Sequence, residues 1–216
     1  MFDELNHVLP EIRNYLDAFP INEDELQKKM RVQAREEGME SWIVTPEVGK
    51  FLFMLTRISN AGRIYEVGSY LGYSATWFAK ALPEGGHIYL TEKNMDHYKR
   101  SIDYFSNSTL SDKVVVKNCD ALEDLRKTDQ SYDIIFFDHD KTVYLDTFLI
   151  AKKRVRKGGL IIADNVLWKN RIVQDEWKDN LSTSSILEFN QHIMSDEDVM
   201  TAIIPIGDGL SVSYVK

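Results

Sequence analysis

A short apolar run that ends in two polar residues constrains the fold of this chain more than any other feature. The run 160–163 follows the pair Gly158-Gly159 and stops at Asp164 and Asn165. A run this short, rich in branched residues and bounded by glycines, is typical of a strand buried on both faces. In open α/β sheets, ligands bind beyond the carboxyl ends of such strands. We therefore expect Asp164 and Asn165 to lie at a functional site rather than only to cap a loop.

Four more short apolar segments precede this run and alternate with helical patterns. They are predicted strands at 64–67, 87–91, 114–116 and 132–137, with helices expected at 73–82, 96–107 and 143–156. Strands that alternate with helices predict a doubly wound, mostly parallel α/β sheet. Residues 169–184 are polar and irregular, and a helix is expected at 185–194. The Asp-Gly pair at 208–209 predicts a terminal hairpin that adds an antiparallel strand at the sheet edge.

Residues 1–60 have helical patterns, and we expect a helical extension ahead of a 61–216 core within one domain. The first pattern ends at Pro20, and Asn22 with Glu25 has the spacing of a capping box for a second helix. Thr45 and Pro46 mark the start of a third helix. We expect one apolar stripe to dock on the core and the rest to suit a partner subunit. The first stripe comprises Phe2, Leu5, Val8, Leu9, Ile12 and Leu16, and the face of the third helix comprises Val48, Phe51, Leu52, Leu55 and Ile58.

Composition narrows the class of protein. The chain has 216 residues with 44% hydrophobic, enough for one substantial core. Its net charge of −8 argues against a large basic surface for nucleic acid. The single Cys119 excludes an intrachain disulfide and suits a reducing compartment. There is no apolar run of the ~18 residues that a membrane span needs, and the N-terminus is acidic. We therefore predict a soluble cytoplasmic protein that does not bind membranes.

A glycine-bearing turn follows the first predicted strand. Glu66, Gly68 and Gly72 lie between this strand and a helix, where small residues let a ligand approach the backbone. The spacing G-x-G-x-x-G is absent, which argues against NAD and FAD. Glu92 ends the second predicted strand, where an acidic residue commonly binds a ribose diol. A nucleoside ligand without a pyrophosphate, such as S-adenosylmethionine, agrees with both observations.

Oxygen-bearing side chains follow the fourth and fifth predicted strands. Asp138 ends one, while Asp164 and Asn165 follow the other, and the right-handed crossover rule makes these strands neighbours. Two carboxylates and an amide favour a hard cation such as Mg²⁺, Mn²⁺ or Ca²⁺ over zinc. Lys141 is close enough to pair with a carboxylate or to act as a general base. His139 is interpreted as a loop residue.

Together these segments resemble the cation-dependent class I O-methyltransferases, of which caffeoyl-CoA O-methyltransferase is the namesake and catechol O-methyltransferase a more distant relative. The resemblance covers most of the chain from Trp42 onward. It departs from the family at His139, where alanine is usual, and at 91–93. Its motifs are 66–74, 138–141 with Tyr144, 163–168, 188–190 and 205–209.

The resemblance implies a Rossmann-like methyltransferase fold with a seven-stranded sheet, S-adenosylmethionine as cofactor and a divalent cation. It assigns metal binding to Asp138, Asp164 and Asn165, and catalysis to Lys141 with Asp138 and Asn165. It places Trp168 beside the acceptor pocket. The implied cofactor-binding residues are Val44, Glu66, Gly68, Ser74, Glu92, Asp120, Ala121 and Asp138.

The implied reaction is methyl transfer to one hydroxyl of a metal-chelated vicinal diol, on a small acceptor of catechol or caffeoyl type. An alternative acceptor is 5-hydroxyuridine at the wobble position of tRNA, because 202–209 resembles bacterial relatives that methylate it. The basic run 152–157 could then contact the RNA, but we interpret it as the solvated face of a helix. A non-catalytic nucleotide-binding module is a further alternative. The family also implies a homodimer built through the N-terminal helices.

Overall fold

The computed structural model describes residues 9–20 and 22–216, so Phe2, Leu5 and Val8 of the predicted first stripe lie outside the described residues. A seven-stranded sheet in the order β3-β2-β1-β4-β5-β7-β6 forms the centre of the described chain. Its strands are β1 Arg63–Val67, β2 His87–Thr91, β3 Val114–Lys117, β4 Tyr132–Phe137, β5 Val155–Ala163, β6 Val199–Ile204 and β7 Leu210–Val215.

The first five strands are parallel, as predicted for a doubly wound α/β sheet. Strand β7 pairs antiparallel with β5, and β6 pairs with the outer side of β7. The hairpin therefore extends the sheet at its edge, as predicted, and it adds two strands, with β7 inside and β6 outermost. Most β7 residues are buried, whereas Val199 alone in β6 is buried and the other β6 residues are exposed or half-buried. A strand with exposed side chains is the better edge strand.

The strand order reverses between β1 and β4, which are neighbours although two strands separate them in the sequence. In doubly wound sheets, ligands bind outside the carboxyl ends of the strands at such a switch point. The turn at Gly68 follows β1, and Asp138 follows β4. These two segments therefore meet where the fold favours a ligand site.

Helices cover both faces of the sheet. One core joins α2, α3, α4 and α5 to the sheet through residues such as Leu52 and Phe78, and the other joins α6, α7 and α8 to it through Phe148 and Phe189. No helix in the described part of the chain has the length and apolar composition needed to cross a membrane. The helices are α1 Pro10–Asp17, α2 Glu25–Glu36, α3 Pro46–Ile58, α4 Tyr73–Ala81, α5 Met95–Ser106, α6 Ala121–Lys127, α7 Tyr144–Ala151 and α8 Leu181–Ser195.

The start of α2 differs from the sequence prediction. Asp24 caps the helix: its Oδ1 accepts from Gln27 N at 2.9 Å, while Gln27 Oε1 accepts from Asp24 N at 3.1 Å. The capping box predicted at Asn22 and Glu25 was therefore wrong by two residues. Both pairs have the same spacing, but only Asp24 immediately precedes the first helical residue.

Apolar residues of α1 and of the last turn of α3 are exposed. Leu9, Ile12 and Leu16 are exposed, so this part of the first stripe does not dock on the core of the same chain. In α3, Thr45 caps the helix and Leu52 is buried, as predicted, but Ile58 at the last turn is 78% exposed. These residues leave an apolar surface on the N-terminal helices.

The basic run 152–157 is not a helix face, because α7 ends at Ala151 and β5 begins at Val155. Lys152 pairs with Asp196 at 2.7 Å, and Arg154 donates to the carbonyl oxygen of Leu125 at 2.8 Å. These contacts replace the predicted continuation of the helix.

Helix α8 begins four residues earlier than predicted, since Asn180 caps it through Thr183 N.

Candidate active site

A cleft of about 890 Å³ opens at the carboxyl ends of the parallel strands. Four of the predicted site residues, Val44, Glu66, Ser74 and Asp164, are buried and do not line it. The predicted site residues that line this cleft are Gly68, Glu92, Asp120, Ala121, Asp138, Lys141, Asn165 and Trp168. Residues far apart in the sequence therefore meet around one cavity, as the strand-end argument predicted.

The buried ammonium group of Lys141 joins the tips of β4 and β5. Its Nζ donates to Asp138 Oδ1 at 2.8 Å, to Asn165 Oδ1 at 2.8 Å and to the hydroxyl oxygen of Tyr144 at 2.6 Å. Lys141 is the first residue of a short 3₁₀ turn that follows Asp138. Asp138 Oδ1 and Asn165 Oδ1 are both 2.8 Å from Nζ, so these two oxygens also lie close to each other.

Tyr144 and the backbone hold the polar residues that follow β5. The Tyr144 hydroxyl donates to the carbonyl oxygen of Asp164 at 3.0 Å. The Asp164 carboxylate accepts from the Asn165 N–H at 2.8 Å, and Asn165 has a positive φ of 56°. Asparagine tolerates this conformation better than most residues. The local geometry thus turns the Asn165 side chain toward Lys141.

Asp164 is almost completely buried, and both this burial and the nearby Asp138 raise the pKa of its carboxyl group. Two carboxylates near each other in a poorly solvated site favour a bound cation, which removes their repulsion. No group of three or more His, Cys, Asp or Glu residues in the described ranges is arranged to hold a metal ion. The set of two carboxylates and one amide nevertheless has the oxygen chemistry that suits Mg²⁺.

Glu66 lies within β1 and is completely buried. Its Oε1 accepts a hydrogen bond from Ser74 Oγ, while Oε2 has no hydrogen-bond partner among the described residues. Burial raises the pKa of Glu66 to about 8, with Asp138 adding to the effect and Ser74 opposing it. A buried carboxyl oxygen without a partner is suited to a donor or a positive charge supplied by a ligand.

Two glycines of the turn after β1 are required by close packing. A Cβ at Gly68 would lie 3.1 Å from the carbonyl oxygen of Asp138 and 3.0 Å from the Cβ of His139. A Cβ at Gly72 would lie 2.6 Å from the ring of Phe105. Both glycines have positive φ, which they adopt without steric cost. Gly68 therefore allows the tips of β1 and β4 to approach each other.

Glu92 is oriented by backbone groups on both sides. Its Oε2 accepts from Tyr70 N at 3.0 Å, and its Oε1 accepts from Asn94 N at 2.7 Å. Asp120 caps α6 and forms an ion pair of 2.5 Å with Lys93. Acidic side chains from two neighbouring loops thus line the same side of the cleft.

His139 takes part in the packing of this region, beyond its predicted place in a loop. Its Nε2 lies 3.0 Å from Thr147 Oγ1. Burial, reinforced by Lys141, lowers the pKa of His139 to about 4. The imidazole is therefore neutral at neutral pH.

Comparison with known proteins assigns this architecture to a family. A model of the O-methyltransferase family matches residues 18–215. The chain belongs to the O-methyltransferase family. A caffeoyl-CoA O-methyltransferase of Populus kitakamiensis is 31% identical over 206 residues, which cover 90% of this chain and 88% of that protein. A catechol O-methyltransferase of Niastella koreensis is 28% identical and covers 100% of this chain and 98% of its own length.

A solved relative supports the same assignment. The O-methyltransferase of Bacillus cereus, whose structure was determined in complex with SAH, superposes with a TM-score of 0.84 at 26% identity. The superposition covers 95% of this chain and 97% of that one. The expected seven-stranded methyltransferase fold is therefore confirmed, and this chain is an O-methyltransferase.

In this O-methyltransferase, Trp168 forms one wall of the cleft. Lys141 Nζ lies 5.6 Å from the centre of its ring, and Arg171 lies 5.7 Å from it. Arg171 also stacks on Trp177 at 3.9 Å. Cations over indole faces are attracted by the ring quadrupole. Trp168 therefore forms an aromatic wall next to Lys141, and Arg171 of the irregular segment lies near the same ring.

Sequence reasoning missed several residues that line the cleft of this O-methyltransferase. Tyr70 packs edge-on against His97 at 4.8 Å and against Trp42 at 5.6 Å, and all three line the cleft. Asp208 in the β6–β7 turn lines it as well. Two of them lay within motifs that the sequence showed, Tyr70 in the glycine turn and Asp208 in 205–209. The spacing of Trp42 and His97 gave no signal.

Proposed function

We propose that this O-methyltransferase transfers the methyl group of S-adenosylmethionine to one hydroxyl of a vicinal diol on a small aromatic acceptor, with a divalent cation bound at Asp138, Asp164 and Asn165. The observation that carries the proposal is the contact of Lys141 Nζ with both Asp138 and Asn165, 2.8 Å each, at the wall of the cleft. A general base and two oxygen ligands are thereby within reach of one acceptor hydroxyl.

The cofactor would bind along the turn after β1 and the loops after β2 and β3. Glu92, whose two oxygens already accept backbone N–H groups, would bind the ribose hydroxyls. Glu66, with one unpartnered oxygen, and Ser74 would hold the methionine end across Gly68. Val44, Asp120, Ala121 and Asp138 complete the proposed cofactor set. The presence of SAH in the Bacillus cereus relative supports this choice of ligand.

The proposed cation ligands are suited to Mg²⁺ more than to zinc, since all three donate oxygen. When bound, such an ion lowers the pKa of a coordinated hydroxyl and orients the acceptor. Burial, together with the nearby Asp138, raises the pKa of Asp164. A bound cation would offset the repulsion between the two carboxylates.

Lys141 in its neutral amine form is the proposed acceptor of the hydroxyl proton, and Tyr144 keeps its Nζ in place through a bond of 2.6 Å. Trp168 presents a ring face beside Lys141, against which an aromatic acceptor can pack. Holding the acceptor oxygen in line with the methyl group would supply a large part of the rate enhancement. The chain would thus provide a base and an aromatic wall that orients the acceptor.

The names of the relatives, caffeoyl-CoA and catechol O-methyltransferase, favour an aromatic diol as acceptor. A tRNA acceptor is less favoured, because Lys152, Arg154 and Arg156 of the basic run bind groups of this same chain. A non-catalytic nucleotide-binding module is also less favoured, because it would not need the buried Lys141 between Asp138 and Asn165.

We also propose that two copies pair through the apolar surface of the N-terminal helices, where Leu9, Tyr15 and Ile58 are exposed, and that the enzyme works in the cytoplasm. Light scattering of the purified protein tests the dimer. A monomeric mass at micromolar concentration would contradict it.

A methyl-transfer screen tests the proposed function. Labelled S-adenosylmethionine is offered with a small catechol, the coenzyme A thioester of a dihydroxycinnamate, the same ring with one hydroxyl, and tRNA containing 5-hydroxyuridine, each with Mg²⁺ or with chelator. We expect label on one or both diols only with the ion. Transfer to the tRNA alone, or to no acceptor at all, would overturn the proposed acceptor class.

A further inference from the structure

Helix α2 is fastened along the glycine turn and α4 by polar contacts rather than by apolar packing alone. Tyr70 donates to Glu37 Oε2 at 2.7 Å, and Tyr73 donates to Glu23 Oε1 at 2.6 Å. Between these two bonds, Gln27 donates to Thr76 Oγ1 at 2.9 Å. Both ends of an N-terminal helix therefore bind tyrosines of the segment that follows β1.

Each of these glutamates is held on its other side by an arginine. Arg31 donates to both oxygens of Glu23, at 2.7 Å for the shortest bond. Arg100 of α5 donates to Glu37 Oε1 at 2.6 Å and to Oε2 at 3.1 Å. The Arg100 and Tyr70 contacts lower the pKa of Glu37 to about 2, so its carboxylate stays charged at neutral pH.

The hydrogen bond to Glu37 is made by Tyr70, a residue whose backbone conformation is strained. Tyr70 has a φ of 48°, a conformation that is unfavourable for a large L-residue and that persists only where surrounding contacts fix it. In this conformation the Tyr70 N–H points to Glu92 Oε2 at 3.0 Å. The hydroxyl of Tyr70 is thus tied to α2 while its backbone orients Glu92.

We propose that Glu37, clamped by Arg100, is a positioning residue for the cofactor: it holds Tyr70, and through the Tyr70 backbone it sets the Glu92 carboxylate for the ribose. This inference rests on the proposed binding of S-adenosylmethionine in the cleft. It makes α2 a structural part of the cofactor site instead of an appendage to the core.

Separate substitutions of Arg100 in α5 and of Arg35 in α2 distinguish this role from an effect on general stability. Arg100→Gln removes the clamp on Glu37, and Arg35→Gln removes an exposed arginine that pairs in the same way with Glu40 at 2.7 Å. Tyr70→Phe removes the hydroxyl and keeps the ring. The affinity for S-adenosylhomocysteine is measured by calorimetry, with the melting temperature and the KM and kcat of methyl transfer as further readouts.

We expect Arg100→Gln and Tyr70→Phe each to raise the Kd for S-adenosylhomocysteine about fivefold. This is less than the roughly tenfold effect of directly losing a charge-assisted hydrogen bond, because the change reaches the ribose through the Tyr70 backbone. The KM for S-adenosylmethionine should rise likewise, with kcat nearly unchanged. The double variant should bind about as well as Tyr70→Phe alone, because both changes break one chain of contacts. Arg35→Gln should leave the Kd unchanged.

An unchanged Kd in Arg100→Gln and Tyr70→Phe, or an equal loss in Arg35→Gln, would overturn the positioning role while leaving the proposed function intact. A lower melting temperature with an unchanged Kd has the same meaning, since it indicates a structural role only. If the wild-type protein itself does not bind S-adenosylhomocysteine, the proposed function fails first, and this inference fails with it.

Discussion

Lys141 Nζ and Asn165 Oδ1 are joined by a hydrogen bond of 2.8 Å, although 24 residues separate them in the sequence. The bond connects the loop after β4 to the loop after β5 and brings the proposed base and a proposed oxygen ligand into the same corner of the cleft. It depends on the adjacency of these two strands and on the positive φ of Asn165.

Substitution of Lys141 by methionine should lower turnover by about 10²- to 10⁴-fold, the usual contribution of a positioned general base. The affinity for a divalent ion should survive, because the oxygen ligands remain. Steady-state methyl transfer and ion titration measure the two effects, with the exposed Lys153→Met as the matched control. Wild-type turnover in Lys141→Met would remove this lysine from the mechanism.

The buried Glu66 should make folding stability depend on pH. Burial raises its pKa to about 8 from an ordinary value of 4.5, so the folded state binds the proton more tightly than the unfolded state. This contribution is present below pH 4.5 and is lost as the pH rises through 8. Relative to Glu66→Gln, the wild-type free energy of unfolding should therefore fall between pH 5 and pH 8.5. Parallel curves for the two proteins in denaturant titrations would contradict this assignment.

Loss of Arg31 should destabilise the fold because it leaves the Glu23 carboxylate, which is 1% exposed, without its main partner. Removing one member of a buried ion pair costs about 3 kcal/mol. We expect Arg31→Gln to lower the free energy of unfolding by about that amount. Arg35→Gln breaks a pair in which the arginine is 57% exposed and should have little effect. Similar losses in the two variants would show that burial of Glu23 is not the cause.

Alanine substitutions at Gly72 and Gly85 separate the energetic cost of backbone strain from that of a steric clash. Gly72→Ala places a Cβ 2.6 Å from Phe105, whereas Gly85→Ala places one in open space, and both positions have positive φ. Gly85→Ala should cost about 1 kcal/mol from the backbone alone. Gly72→Ala should cost clearly more, since the ring must shift within a packed core. Equal melting temperatures of the two variants would contradict the close contact with Phe105.

The sequence predicted the parallel sheet and the polar strand ends because both depend on local patterns of apolar and polar residues. The sequence also predicts that Asp138, Lys141 and Asn165 lie close together, since the crossover rule makes consecutive strands neighbours. The order of β6 and β7 could not, because a hairpin joins the sheet by either strand and the choice depends on burial against β5 and α8.

Helix boundaries and long-range partners were harder to predict. Asn22 and Asp24 each offer a cap with a suitable partner three residues on, and the helix start decides between them. Nothing local indicates that Tyr70 meets Glu37, since the bond forms only when α2 packs on the glycine turn. The exposed apolar residues of α1 show the same limit, because amphipathic spacing does not say which protein surface covers them.

A cation bound at Asp138, Asp164 and Asn165 would make methyl transfer depend on Mg²⁺. The rate with an aromatic vicinal diol is measured against Mg²⁺ concentration after chelator dialysis, for the wild type, Asp164→Asn and Asp146→Asn, an exposed aspartate of α7. We predict saturable activation by Mg²⁺ in the wild type and in Asp146→Asn, and none in Asp164→Asn. Equal rates with Mg²⁺ and with chelator in the wild type, or normal activation of Asp164→Asn, would contradict the account.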